Sequence, residues 1–204
     1  MASVKKFSMG AALNQLRHNE RLVANPSNPD IDPDRRGQNY SLLCPREISS
    51  YDYFLKRKSE LYCYNRADVK VLASWVVTAP IDLPQNQEKI FFEKVSDFLC
   101  NRYGPRNTIQ SIVHCDEGGR PHLHYTFIPV TKDEKHGGEK ICANDILSPQ
   151  EMRSFHPALQ KFLLESGIDC HVMTGITKEI GGSISVDALK KAEKIIEVKR
   201  GFSW

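Results

Sequence analysis

Between residues 108 and 130 the chain spells out a β-hairpin, and that hairpin limits what the rest can become. Thr108–Cys115 and His122–Val130 are rich in β-branched and aromatic residues, and the Asp116-Glu-Gly-Gly-Arg-Pro121 linker is short enough to join them as antiparallel neighbours. Side chains alternate between faces along a strand, so His122 and His124 share one face while Leu123 and Tyr125 point to the other. His114 ends the preceding strand, across the hairpin. Antiparallel neighbours sit about 5 Å apart, so three imidazoles can converge on one point. Three neutral nitrogen donors with open positions describe a catalytic metal site rather than a closed structural one. Imidazole ligands favour transition metals over bare magnesium, which makes manganese or zinc the first candidates. A His-x-His pair on a strand is also what two polar surface residues look like. The presence of His114, Asp116 and Glu117 in the same hairpin shifts the balance toward a ligand set.

Around this hairpin the pattern predicts a mixed α/β (α+β) fold with a central antiparallel sheet. Met9, Leu13, Leu16 and Val23 recur at helical spacing and predict a first helix from Met9 to Ala24. Its opposite side carries Asn14, His18, Arg21 and Asn25 as one polar stripe. Asn25 to Asp34 is dense in turn formers and predicts a loop, followed by a short strand at Asn39–Leu43. Tyr51–Asn65 reads as a basic helix, with Lys56-Arg57-Lys58 as a solvated patch. Lys70–Ala79 is a strong strand closed by Pro80. Glu88–Tyr103 is an amphipathic helix that turns Phe91, Phe92, Val95, Phe98, Leu99 and Tyr103 to the core and stops at Gly104. Lys132 to Lys140 reads as a polar loop. Ser148-Pro149-Gln150-Glu151 resembles a capping box opening a helix to Gly167, with Pro157 expected to kink or divide it. A short strand at Cys170–Met173 and a charged helix at Val186–Lys199 complete the chain.

Six scattered cysteines with no C-x-x-C pair argue against a zinc ribbon or a disulfide scaffold and suit a reducing cytosol. No apolar run is long enough to cross a membrane and no signal peptide is visible, so the expected location is cytoplasmic. The net charge of +3 is small, but residues 1–70 hold 12 Lys and Arg against 8 Asp and Glu. A polyanion would be drawn toward that N-terminal third. His136, His156 and His171 stand apart from the cluster and receive no role.

His114-Cys-Asp-Glu117-Gly-Gly-Arg-Pro-His122-Leu-His124 resembles the H-x-D-E…P-H-x-H signature of the Mob/Pre family of plasmid mobilisation proteins, the MobV relaxases. His18-Asn-Glu-Arg21 is similar to the family's H-N-x-R motif, and Asn28-Pro-Asp-Ile-Asp32-Pro with Asn39-Tyr40 is similar to its N-x-D-I-N-P…N-Y segment. The matches occur in the family's order and run from about Lys6 to Gly167. The Glu117-to-Pro121 loop is one residue longer than the family pattern, a change confined to the hairpin tip.

The resemblance implies an HUH relaxase fold, a central antiparallel sheet flanked by helices, over residues 1–183. Residues 184–204 would then form a C-terminal helix, and the chain would be one domain of a longer protein carrying a dimerisation region. His114, His122 and His124 would hold a divalent metal, manganese by preference, with magnesium or zinc as alternatives. His18 would be the nucleophile, forming a 5′-phosphohistidine link to DNA, and Glu117 would orient it or take its proton. Arg21 would face a phosphate, and Tyr40 and Tyr103 would contact DNA, with Tyr40 the rival nucleophile. Arg17, Arg35 and Arg36 would add salt-dependent backbone affinity. The partner would be origin-of-transfer DNA: a single-stranded nick site beside a hairpin or duplex. Two rivals remain at this stage, a replication initiator or transposase using tyrosine, and a non-catalytic, metal-stabilised DNA-binding module.

Overall fold

The computed structural model describes residues 2–172 apart from Asn25 and Ser27. Its centre is a five-stranded sheet in the order β1-β3-β5-β4-β2, with every neighbouring pair antiparallel. The expected hairpin is present as β4 (Thr108–His114) and β5 (His122–Phe127), and Gly119, at φ 102°, supplies the left-handed backbone that its tip needs. β3 (Lys70–Thr78) lies on the other side of β5. The edges are β1 (Ala2–Ser8) beside β3 and the two-residue β2 (Tyr40–Ser41) beside β4.

Strand alternation divides the sheet into two faces with different chemistry. Ala73, Trp75, Val77, Val113, Leu123, Tyr125 and Phe127 turn to one face and pack against α3 (Glu88–Tyr103) and α5 (Pro149–Glu165). Trp75 stacks on Phe155 at 3.7 Å between ring centroids, and Tyr103 stacks on Phe127 at 4.0 Å. The other face carries Ser74, Thr126 and the histidines. Above it lie α1 (Met9–Asn19) and α2 (Ser50–Ser59), which close a second core around Ala12, Leu16, Phe54, Leu72 and Ile109.

Several expectations need correction. β1 was not anticipated from sequence, because Lys5-Lys6 splits the apolar Val4 from Phe7. α1 ends at Asn19 rather than Ala24: the Glu20 N–H closes on the Leu16 carbonyl and the Arg21 N–H on the His18 carbonyl, with Arg21 at φ 57°. The polar stripe therefore breaks after His18. α2 stops at Ser59, and Arg57 is not solvated. It is 5% exposed, with its guanidinium bonded to Asn107, Glu60 and Glu139. β5 ends at Phe127, and the stretch read as a polar loop holds a second small hairpin, β6 (Val130–Asp133) and β7 (Gly138–Ile141). A short α4 (Ala143–Ile146) precedes α5, whose Ser148 cap accepts from the Glu151 N–H as the capping box predicts. Pro157 does not divide α5; the helix loses one backbone bond there and its apolar face carries it through. Cys170–Val172 is not a strand, and the helix expected at 186–199 lies outside the described residues. Among the described residues no helix is long and apolar enough to cross a membrane.

Candidate metal centre

The β4–β5 register brings His114 directly opposite His122 and Ile112 opposite His124. All three imidazoles thus stand on the α1 face at the hairpin's end. Their ring centroids lie 4.4 Å (His114–His124), 4.9 Å (His122–His124) and 5.5 Å (His114–His122) apart. Together with Glu117 they offer four ligand atoms within 4.8 Å of one another.

The donor set fits a cation. Nε2 of His114 lies 2.7 Å from the Asn19 carbonyl, which can only accept, so the ring proton sits on Nε2 and the lone pair on Nδ1. That Nδ1 and both ring nitrogens of His124 are buried without a hydrogen-bond partner among the described residues. Leaving a buried polar atom unmatched costs about 1–3 kcal/mol, and a shared ion would satisfy His114 Nδ1 and one ring nitrogen of His124 together. Burial, the largest influence on each ring, pushes His114 down to about 4, lowers His122 and takes His124 well below its ordinary value. The rings are neutral at pH 7, as ligands must be. The carbonyl behind His114 is the outer support that fixes a ligating ring's orientation.

A measurable consequence follows for stability. Manganese at about 100 times its dissociation constant should stabilise the fold by about 2.7 kcal/mol, a rise of roughly 5–10 °C in Tm for a domain of this size. Calorimetry with manganese and then with EDTA checks this. His122→Ala, at the partly exposed rim, should melt near wild type without metal and lose most of the gain; an undiminished gain in that variant would rule out the cluster as the binding site.

Behind the histidines lies a buried charge clamp. Asp116 is fully buried and accepts from Arg21 Nε at 2.8 Å and Arg21 Nη2 at 2.6 Å. Burial works to raise this carboxyl, but the bonds from Arg21 outweigh it and hold Asp116 at about 2. Arg21 Nη2 also reaches Glu117 Oε1 at 2.8 Å, and Asn28 Nδ2 donates to Glu117 Oε2 at 3.1 Å. The loop after α1 is stitched to the same hairpin by Asp32 N–H to the Asp116 carbonyl and Gly118 N–H to the Asp30 carbonyl. Asn39 Oδ1 accepts from the Cys115 N–H. The three sequence motifs, over 90 residues apart at their ends, therefore meet in one place.

The individual site residues separate clearly. His18, half-buried on the last turn of α1, faces the cluster with its ring centroid 6.4 Å from His114 and 6.2 Å from His124. Burial first, and then Arg21, lowers its pKa, so it too is neutral at pH 7. Glu117 was expected to serve His18; its oxygens are instead held by Arg21 and Asn28, and they lie 3.8 Å from His114 Nδ1 and His122 Nε2. Arg21, expected to face a phosphate, spends Nε and Nη2 on carboxylates. Tyr40 pairs with Val113, so its ring lies on the α3–α5 face, away from the histidines, and burial pushes its phenol up to about 12. Tyr103 is a core residue at 8% exposure: its hydroxyl accepts from Trp75 Nε1 and donates to Glu151. That packing gives it a place in the core. Arg17 and Arg36 are exposed and Arg35 half-buried. Sequence reasoning quoted Asn19 and Asn28 within the family motifs without giving them a role, and missed Gln110, whose amide carries no charge or pattern that marks a partner.

The Mob/Pre family, described as plasmid recombination enzyme, matches residues 1–174. The chain belongs to the Mob/Pre family. A plasmid recombination enzyme of Bacillus thuringiensis is 30% identical over 204 residues, which cover 97% of this chain and 44% of that one. A Streptococcus agalactiae relative of the same description is 27% identical over 83% of this chain and 34% of its own. This Mob/Pre chain thus spans less than half the length of those curated relatives. Among solved structures, the MobM relaxase domain with manganese and plasmid pMV158 oriT DNA is similar at a TM-score of 0.76 and 25% identity, over 94% of this chain and 97% of that one. A second MobM relaxase structure, 24% identical with a TM-score of 0.75, shares the fold.

Proposed function

We propose that this Mob/Pre chain nicks one strand of origin-of-transfer DNA by transesterification onto His18, inside the cell that carries the plasmid. In this reading residues 1–183 are the nicking domain. The observation that carries it is placement: a neutral imidazole on α1 faces the histidine cluster from about 6 Å, while Tyr40 sits behind the sheet. His18 directs a ring lone pair at the scissile phosphorus. The new N–P bond forms as the P–O3′ bond breaks, the imidazole gives up its proton, and the departing 3′-oxygen gains one. A free 3′-hydroxyl and a 5′-phosphohistidine adduct result, and the reverse step rejoins the strand.

His114, His122 and His124, with Glu117 beside them, would hold the divalent ion, manganese by preference, which supplies a Lewis acid for a phosphate oxygen. The chain's own groups do the rest. Asn19's carbonyl orients His114, and Arg21 keeps Asp116 and Glu117 ionised. Arg17, Arg35 and Arg36 would meet the phosphate backbone. The MobM relaxase domain's own complex with manganese and oriT DNA supports this assignment of metal and substrate.

The test is the chemistry of the adduct. A 3′-labelled single-stranded origin oligonucleotide, incubated with the protein and manganese, should yield a covalent complex that acid destroys and base leaves intact. Tyr40→Phe should form it at the wild-type rate. An acid-stable adduct lost in Tyr40→Phe would instead assign the tyrosine chemistry of an initiator or transposase.

A further inference from the structure

Beneath the last turn of α1 lies a buried network of uncharged polar groups that the chemistry above does not account for. Asn19 is 1% exposed and Gln110, on β4, is 2% exposed. Asn19 Nδ2 donates to Gln110 Oε1 at 2.9 Å and to Thr126 Oγ1 at 3.0 Å, while Asn19 Oδ1 accepts from Gln15 Nε2 at 2.8 Å. Gln110 Nε2 donates in turn to the Leu16 carbonyl at 3.1 Å, and Thr126 shares a hydrogen bond with Ser74 at 3.0 Å. Gln110 and Thr126 are paired across β4 and β5, so their side chains meet on the α1 face. Both protons of the Asn19 amide are therefore used, and both go to the sheet.

Its backbone is committed as well. The Asn19 carbonyl accepts the His114 Nε2 proton at 2.7 Å. One residue thus touches both halves of the site: it adjoins His18 in sequence and sets which nitrogen of His114 is free. A buried network whose members are all satisfied holds a single geometry firmly, because every alternative leaves a donor or acceptor unmatched.

We infer that Gln110, Asn19 and Thr126 are positioning residues, a polar latch that fixes the end of α1 on the sheet and so sets both the aim of His18 and the Nδ1-ligating form of His114. None of them touches the reacting atoms. The latch acts through His18 and His114, and its effect on rate rests on the nicking reading; its effect on the His114 proton does not.

The test uses the full chain with Gln110→Met and Thr126→Val, which keep side-chain volume but remove both acceptors of the Asn19 amide, singly and together. Thr126→Ser, which keeps the hydroxyl, is the rescue control. At a temperature where circular dichroism shows each protein folded, two quantities are read. The first is the rate of adduct formation at saturating manganese and origin oligonucleotide, alongside the oligonucleotide's Kd. The second is the imidazole 15N spectrum of the metal-free protein, which reports the His114 tautomer.

The double variant should react about 10–100-fold more slowly, the range seen when a ligand's outer support or a reactant's alignment is lost. Its Kd should be unchanged, Thr126→Ser should match wild type, and the single Nε2–H form of His114 should give way to a mixture. A folded double variant with wild-type rate and one tautomer would reduce the latch to an ordinary brace. If wild type forms no adduct, the nicking reading falls and the spectrum alone decides: one tautomer in the variant overturns the latch, a mixture upholds it. If the double variant does not fold, Thr126→Val is read against Thr126→Ser by the same two criteria.

Discussion

His18→Ala should abolish adduct formation while leaving the protein folded, loaded with metal and bound to DNA. Removing the nucleophile of a covalent hydrolase costs on the order of 10^6 in kcat, and Tyr40, the rival nucleophile, packs on the other face of the sheet. The loss should therefore put nicking below detection. The ring is only half-buried, so truncation should change stability by only about 0.5 kcal/mol. His114, His122, His124 and Glu117 remain in place, so the manganese-induced rise in Tm should persist. Three assays on one variant then separate roles: gel detection of adduct, calorimetry with and without manganese, and oligonucleotide affinity. A variant that still nicks would remove His18 from the reaction. One that loses both adduct and manganese response would make it a ligand.

Much of this site was readable because its chemistry lies on regular elements. His114, His122 and His124 follow from strand alternation alone, and their convergence needed only the short linker between the strands. α3 was equally legible, since its apolar face and Gly104, at φ 92°, fix both register and end. What escaped depends on partners distant in sequence. Arg57 looks like the middle of a solvated basic run, yet Asn107 and Glu139, far along the chain, draw it inside. α1 carries no glycine to mark its stop; it ends because the Asn19 side chain is pulled to the sheet and Arg21 turns back toward Asp116. Tyr103 shows the opposite error, where family resemblance suggested DNA contact and the helical pattern already said core. β6 and β7 escaped because a polar hairpin turning at Gly137-Gly138 has the composition of a loop.

The second large effect concerns the clamp rather than the nucleophile. Arg21→Met should destabilise the domain by about 3–5 kcal/mol, because it leaves the fully buried Asp116 and the nearby Glu117 side by side with no cation between them. For a domain of this size that is a fall of roughly 6–20 °C in Tm. Asp116→Asn should cost less, since Glu117 still engages the guanidinium and Asn keeps the shape. The double variant should be milder than the sum of the two, with a coupling of about 0.5–3 kcal/mol, because removing the second partner also removes the stranded charge. Urea titration of all four proteins gives the cycle. Manganese should partly rescue Arg21→Met: the ion's positive charge would sit beside the same Glu117 that Arg21 had neutralised, so the metal-induced gain in that variant should exceed the wild-type gain. Strict additivity would mean that Arg21 and Asp116 act independently. A rescue no larger than in wild type would mean that the guanidinium and the metal site do not share the charge of Glu117.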